Sequence, residues 1–214
     1  MEPTFDDQGL VVAIAQDALS GEVRMVAWMN RDALKQTHAT GFATFYSRSR
    51  QRLWTKGETS GHRLAVVDAW LDCDGDAVLL RVLPQGPSCH TGNESCFFRS
   101  LEGSVDSGRP LPTLQALEAT VEARTRSSAG ASYTRSLLDA GPSRISEKLR
   151  EEAAELGDAL LGESDERVVA ETADVLYHAL VGLRARGVPL QHVLAELERR
   201  SGVSGHEEKA SRTR

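Results

Sequence analysis

The chain has 214 residues, 40% hydrophobic and 26% charged with 7 Pro, which suits one large core or two compact ones and excludes a mostly disordered chain, a collagen or a coiled-coil rod. A formal net charge of −6 and a pI near 5.6 argue against bulk nucleic-acid binding or an anionic membrane surface. The longest apolar run, residues 10–15, falls far short of the ~20 residues of a membrane span, and the start lacks the basic and apolar regions of a secretion signal, so a cytoplasmic location is expected.

Residues 10–15 and 22–28 are strand-like runs around Asp17-Ala18-Leu19-Ser20-Gly21 and predict a hairpin. Asn30 can cap a helix that Gly41 ends, and strand-like runs follow at 43–46, 64–71 and 77–83. Residues 1–108 therefore read as an α+β domain built mainly on an antiparallel sheet. The Gly/Ser/Pro stretch 103–112 reads as a linker. Helical periodicity then runs through 113–125, 145–161, 166–186 and 189–200, so residues 109–214 read as an all-α domain with a frayed tail at 203–214.

Arg48, Arg50 and Arg52 alternate, so on a strand they share a face with Lys56 nearby, a pattern suited to phosphate oxygens or simply to a solvated edge strand. Trp54 beside them can stack on a base or pack internally. Asp72, Asp74 and Asp76 also alternate; three carboxylates on one face of an extended segment point to Mg²⁺, against the alternative of an acidic turn. An EF-hand is excluded, because Ala77 and Leu83 occupy its Gly and Glu positions.

Three cysteines, Cys73, Cys89 and Cys96, are an odd count that argues against a disulfide framework. They are either buried thiols or a Cys₃ zinc site, which leaves a fourth position for a water whose pKa zinc lowers toward ~7. His62 and His90 are candidate general bases.

In the second half Glu152/Glu155 and Glu171/Asp174 are spaced i,i+3 on successive predicted helices. If these helices are antiparallel neighbours, four carboxylates converge in a way that divalent cations, Mg²⁺ with a diphosphate-bearing substrate, make tolerable; the alternative is a pair of solvated acidic faces. Lys148, Arg144 and Ser132-Tyr133-Thr134 are placed to hold phosphates or ribose.

The motifs Ser47-Arg48-Ser49-Arg50, Lys56-Gly57-Glu58-Thr59-Ser60-Gly61-His62, Asp72-Cys73-Asp74-Gly75-Asp76 and Cys89-His90-Thr91-Gly92 with Cys96 closely resemble the phosphoribosyl-AMP cyclohydrolase family. Ser132-Tyr133-Thr134, Lys148, Glu151/Glu152/Glu155 and Glu171/Asp174 before Leu176-Tyr177-His178 resemble phosphoribosyl-ATP pyrophosphatases of the MazG-like helical superfamily. The whole resembles the bifunctional fusion of histidine biosynthesis.

The resemblance implies that Asp72, Asp74 and Asp76 bind Mg²⁺ and that Cys73, Cys89 and Cys96 bind Zn²⁺, with Cys73 supplied by the partner subunit of a homodimer. It implies that Glu152, Glu155, Glu171 and Asp174 bind Mg²⁺, with Glu151 a ligand or base, and that Arg48, Arg50, Arg52, Lys56 and Lys148 bind substrate. The helical domain would hydrolyse phosphoribosyl-ATP to phosphoribosyl-AMP and pyrophosphate, and the α+β domain would open the purine ring at N1–C6, with His62 or His90 shuttling protons. Two other readings remain at this level: a nucleoside triphosphate pyrophosphatase with a non-catalytic zinc module, and a dimeric zinc-site regulator without catalysis.

Overall fold

The computed structural model describes residues 2–101, 110–126 and 132–201, and the chain divides into two compact units, Met1–Pro112 and Thr113–Arg214. Most of the predicted linker, the boundary expected at 108/109 and the predicted frayed tail lie outside the described residues.

The first unit is a six-stranded sheet flanked by one helix: β1 (Val11–Asp17), β2 (Val23–Met29), α1 (Arg31–Thr40), β3 (Thr44–Ser47), β4 (Arg52–Thr55), β5 (Leu64–Leu71) and β6 (Ala77–Pro84). The strand order is β4-β3-β2-β1-β6-β5; only the central β1–β6 pair is parallel, and the other pairings are antiparallel. β1 alternates buried and half-buried side chains along its whole length, the period expected of a strand with one face on a core. Asp17 Oδ1 accepts from the N–H groups of Leu19 and Ser20 at 3.0 Å each, which turns the chain into β2.

Asn30 caps α1 by accepting from the Ala33 N–H at 2.8 Å, and Gly41 at φ 70° closes it through an N–H bond to the Thr37 carbonyl. Val11, Met29, Phe45, Leu64, Leu80 and Val82 form the core between α1 and the sheet.

Among the described residues the second unit has five helices: α2 (Thr113–Thr125), α3 (Tyr133–Ala140), α4 (Pro142–Gly162), α5 (Asp165–Ala185) and α6 (Leu190–Ser201). The two-residue connection Glu163-Ser164 makes α4 and α5 pack as neighbours, and Ser164 caps α5 through the Arg167 N–H. Val121, Leu137, Ile145 and Val181 make its core.

Two expectations change. Arg48 and Arg50 lie in the β3–β4 hairpin turn rather than on a strand; Gln51 takes φ 52° there, and the turn breaks the alternation that would have put three arginines on one face. Asp72 to Asp76 likewise form a bent loop between β5 and β6, with Gly75 at φ 80°, rather than an extended segment. Among the described residues no helix is long and apolar enough to cross a membrane.

Candidate active sites

The loop between β5 and β6 gathers Asp72, Asp74 and Asp76, each exposed, with ligand oxygens within 4.8 Å of one another. The curled loop, not strand alternation, brings them together. Asp72 accepts from the Ala77 N–H at 3.0 Å, and that bond holds its carboxyl below the ordinary value. Asp76 is pushed up by the charges of Asp74 and Asp72. A group with this unrelieved repulsion and only oxygen donors fits a hard divalent cation.

Cys89 and Cys96 meet at the other end of the sheet unit's last segment. The Thr91 hydroxyl donates to the Cys89 sulfur at 3.0 Å and lowers its pKa, whereas burial and the neighbouring Cys89 push Cys96 up. The buried ammonium of Lys56 faces the same two sulfurs; desolvation pulls it below its ordinary value while Cys96 and Cys89 oppose that. Its Nζ donates to the His62 carbonyl at 3.2 Å, so the lysine expected to bind substrate sits buried beside the thiols.

The third thiol stands apart: Cys73 is exposed in the acidic loop, its sulfur 3.9 Å from Asp74 Oδ1, and it forms no common ligand group with Cys89 and Cys96 within one chain. Two adjacent thiols beside cations fit a soft metal, with ligand positions still open to groups from outside the chain.

His62 is held by two glycines. A Cβ on Gly57 would lie 2.4 Å from the His62 carbonyl carbon, and one on Gly86 would lie 2.8 Å from the imidazole Cδ2, with φ values of +78° and +127°. His90 is exposed, its Nδ1 3.9 Å from the Cys89 sulfur. Arg48 stacks on the Trp28 ring at 4.6 Å, Arg50 and Arg52 are exposed, and Trp54 packs internally on Phe45 at 5.1 Å between ring centres.

Sequence reasoning passed over Arg24. It is 5% exposed on β2 and donates to Glu22 at 2.9 Å, to Ser88 at 3.2 Å and to Glu94 at 2.6 Å. Its own carbonyl accepts the Cys96 N–H at 2.9 Å. Both ends of the thiol loop are thus tied to one guanidinium-bearing residue; its even flanking of apolar residues in the sequence hides that role. A separate cleft of about 620 Å³ between α1 and β5, walled by Phe5, Leu34, Val66 and Trp70, contains none of the predicted site residues.

In the helical unit Glu152 and Glu155 of α4 meet Glu171 of α5, again with ligand oxygens within 4.8 Å. Glu152 and Glu171 are buried at 7% and 2% exposure. Burial raises the Glu171 carboxyl despite the opposing Arg167 charge. Asp174 is exposed and lies outside this group of three, although its charge also acts on Glu171. Lys148 holds Glu152 at 2.8 Å and Glu151 at 3.0 Å, and Glu151 faces outward.

Behind the carboxylates the Ser132-Tyr133-Thr134 and Leu176-Tyr177-His178 motifs meet in a network that joins α3 to α5. Buried His178 donates from Nδ1 to the Asp174 carbonyl at 2.9 Å and meets the Tyr133 hydroxyl through Nε2 at 3.2 Å. Thr134 and Tyr177 share a 2.8 Å hydrogen bond. Ser132-Tyr133-Thr134 therefore starts a separate helix, α3, that braces the acidic pair.

Two families match this division. Residues 25–98 match phosphoribosyl-AMP cyclohydrolase and residues 114–201 match phosphoribosyl-ATP pyrophosphohydrolase. The histidine biosynthesis bifunctional protein HisIE of Wolinella succinogenes is 44% identical over 217 residues, covering 97% of this chain and 95% of its own length. That of Halalkalibacterium halodurans is 48% identical over 202 residues, covering 92% and 94%, and that of Thermus thermophilus 48% over 185 residues, covering 86% and 85%. At this identity, over nearly the full length of both partners and in the same domain order, the chain belongs to the HisIE family of bifunctional histidine-biosynthesis enzymes.

Proposed function

We infer that the chain performs the two hydrolyses of its family in reverse domain order. The helical unit cleaves phosphoribosyl-ATP to phosphoribosyl-AMP and pyrophosphate, and the sheet unit then opens the purine ring of phosphoribosyl-AMP at N1–C6. The observation that carries the reading is that each unit concentrates its ionisable groups where one of these reactions needs them.

In the helical unit Glu152, Glu155 and Glu171 would hold Mg²⁺, with Asp174 completing the set from the next turn of α5. The α4–α5 hairpin with inward carboxylates supports a MazG-like arrangement. Bound Mg²⁺ would neutralise the triphosphate and assist water attack between the α and β phosphates. Lys148 lies one turn from Glu152 and is positioned to bind phosphate, while Tyr133 and His178 fix α3 against the carboxylates. Glu151, paired only with Lys148 among the described residues and facing outward, is available as a base.

In the sheet unit Cys89 and Cys96 would hold Zn²⁺ together with Cys73 of the partner subunit in a homodimer; the separation of Cys73 from the other two thiols within one chain supports that sharing. Zinc would supply an activated water, and Mg²⁺ on Asp72, Asp74 and Asp76 would bind phosphate. His62, fixed between Gly57 and Gly86, and His90, beside Cys89, are the groups positioned to move protons. Arg48, Arg50 and Arg52 present exposed guanidinium groups from the β3–β4 turn and the start of β4 for the substrate phosphate. Three unpaired thiols used as ligands fit a reducing, cytoplasmic setting.

The test is to incubate the purified protein with phosphoribosyl-ATP, Mg²⁺ and trace Zn²⁺ and to follow pyrophosphate and the ring-opened product separately. Cys89→Ala should lose bound zinc and ring opening while keeping pyrophosphate release, and Glu171→Ala should do the converse. Ring opening that survives in Cys89→Ala would overturn the zinc assignment.

A further inference from the structure

Each buried carboxylate of the helical unit is neutralised by a cation from one turn earlier on its own helix. On α4 Lys148 Nζ lies 2.8 Å from Glu152 Oε1, and on α5 Arg167 Nη2 lies 2.6 Å from Glu171 Oε1. The Lys148 side chain is largely covered at 15% exposure and also held by Glu151, whereas that of Arg167 is 53% exposed at the rim of the cluster.

A divalent cation at this cluster draws on the same Glu171 carboxylate that Arg167 holds. Two positive groups on one carboxylate repel each other, so binding of the metal weakens the hold of the guanidinium on Glu171. The loosened group does not leave the site, because Arg167 Nε also donates to Glu163 at 3.1 Å. A guanidinium has five N–H donors in a fixed fork; with Nε kept on Glu163, the Nη groups remain beside the cluster and are free. The acceptors that arrive with the metal are phosphate oxygens, for which that fork is matched.

We propose that Arg167 is an exchangeable counter-ion: it neutralises Glu171 when no divalent cation is bound and turns to the polyphosphate of the substrate when the metal takes Glu171. This inference rests on the metal reading of the helical unit given above. It assigns Arg167 two opposed effects, competition with the metal and attraction of the phosphates, that an ordinary surface ion pair does not have.

The experiment compares the full-length wild type with Arg167→Gln and Arg167→Lys. Mn²⁺ binding without nucleotide is read by electron paramagnetic resonance, and binding of inorganic pyrophosphate at saturating Mg²⁺ by calorimetry. Sites in the sheet unit contribute equally to all three proteins, so the differences report the helical unit. Arg167→Gln should bind Mn²⁺ more tightly and pyrophosphate more weakly, each on the order of fivefold, the scale of one charge at a partly solvated site. Arg167→Lys should lie between. Partial unfolding weakens both ligands together and so cannot imitate this pair of opposite changes. Mn²⁺ affinity that is unchanged or lower in Arg167→Gln, or unchanged pyrophosphate affinity, would overturn the exchange. A wild type whose Mn²⁺ binding is untouched by Glu171→Gln would instead remove the metal reading itself, and the exchange with it.

Discussion

Arg24 on β2 and Glu94 in the thiol loop, seventy positions apart in the sequence, meet at 2.6 Å. The same buried guanidinium holds Glu22, which just precedes β2 and is 5% exposed, so one buried charge on the sheet fastens the Cys89–Cys96 loop through the half-exposed Glu94.

Arg24→Met should therefore cost about 3–5 kcal/mol, the penalty for removing one charge of a buried ion pair. All three tryptophans, Trp28, Trp54 and Trp70, lie in the sheet unit, so a urea titration followed by tryptophan fluorescence reads that unit alone. A loss below about 1 kcal/mol would mean that the buried cluster contributes little to holding the loop.

Gly57 and Gly86 are the walls around His62. Gly57→Ala combines left-handed backbone strain with a Cβ 2.4 Å from the His62 carbonyl, and it should destabilise the sheet unit by about 2–4 kcal/mol. Ring opening should fall with it at a temperature where pyrophosphate release from the helical unit is unchanged, a split that a two-product assay detects.

The separation of Cys73 from Cys89 and Cys96 makes subunit complementation the check on a shared zinc site. Cys73→Ala and Cys96→Ala chains should each be inactive in ring opening alone. Unfolded and refolded together in equal amounts they should recover about a quarter of wild-type activity, since half the dimers are mixed and each mixed dimer has one intact site. No recovery would place all zinc ligands within one chain.

On α6 Glu196 accepts from Arg199 and Arg200 at 2.7 Å each, which lowers its carboxyl to about 2 from an ordinary 4.5. A group whose folded value is depressed stabilises the fold above its unfolded value and loses that contribution as pH falls toward the folded one. The stability difference between wild type and Glu196→Gln, read by far-ultraviolet circular dichroism melts, should be constant above about pH 5 and shrink between about pH 4.5 and pH 2. Because the side chain is 41% exposed, raised salt should shrink it as well.

Thr134 is fully buried against the Tyr177 hydroxyl at 2.8 Å. Thr134→Val keeps the shape but strands that hydroxyl, and it should cost about 1–2 kcal/mol in helical-unit stability. Tyr177→Phe combined with Thr134→Val should recover part of the loss, which a double-mutant cycle measures.

Much of this protein is written in local pattern. The alternation of residues 11–17 marked a half-buried strand, Asn30 and Gly41 bounded α1, and the Glu152/Glu155 spacing placed two carboxylates on one helical face, because capping chemistry and side-chain periodicity act over a few residues. The resemblance carried by the cysteine, aspartate and glutamate motifs also led to the family to which the chain belongs.

What the pattern could not specify depends on groups far apart in sequence. Alternation placed Arg48 and Arg50 on a strand, but the chain turns there to pair the four-residue β4 with β3, and strands and helices as short as β4 and α3 owe their existence to tertiary packing rather than to propensity. Lys56 reads as a cation beside the arginine run, and only the fold shows it buried against His62 and the thiols. Arg24 is unremarkable in its sequence neighbourhood and acquires meaning only where Ser88 and Glu94 of the thiol loop meet it, and the Arg167–Glu171 spacing acquires meaning only because the fold buries Glu171. Charge is set by composition, but what a charge does is set by what surrounds it and how much water is excluded, and only the tertiary structure decides that.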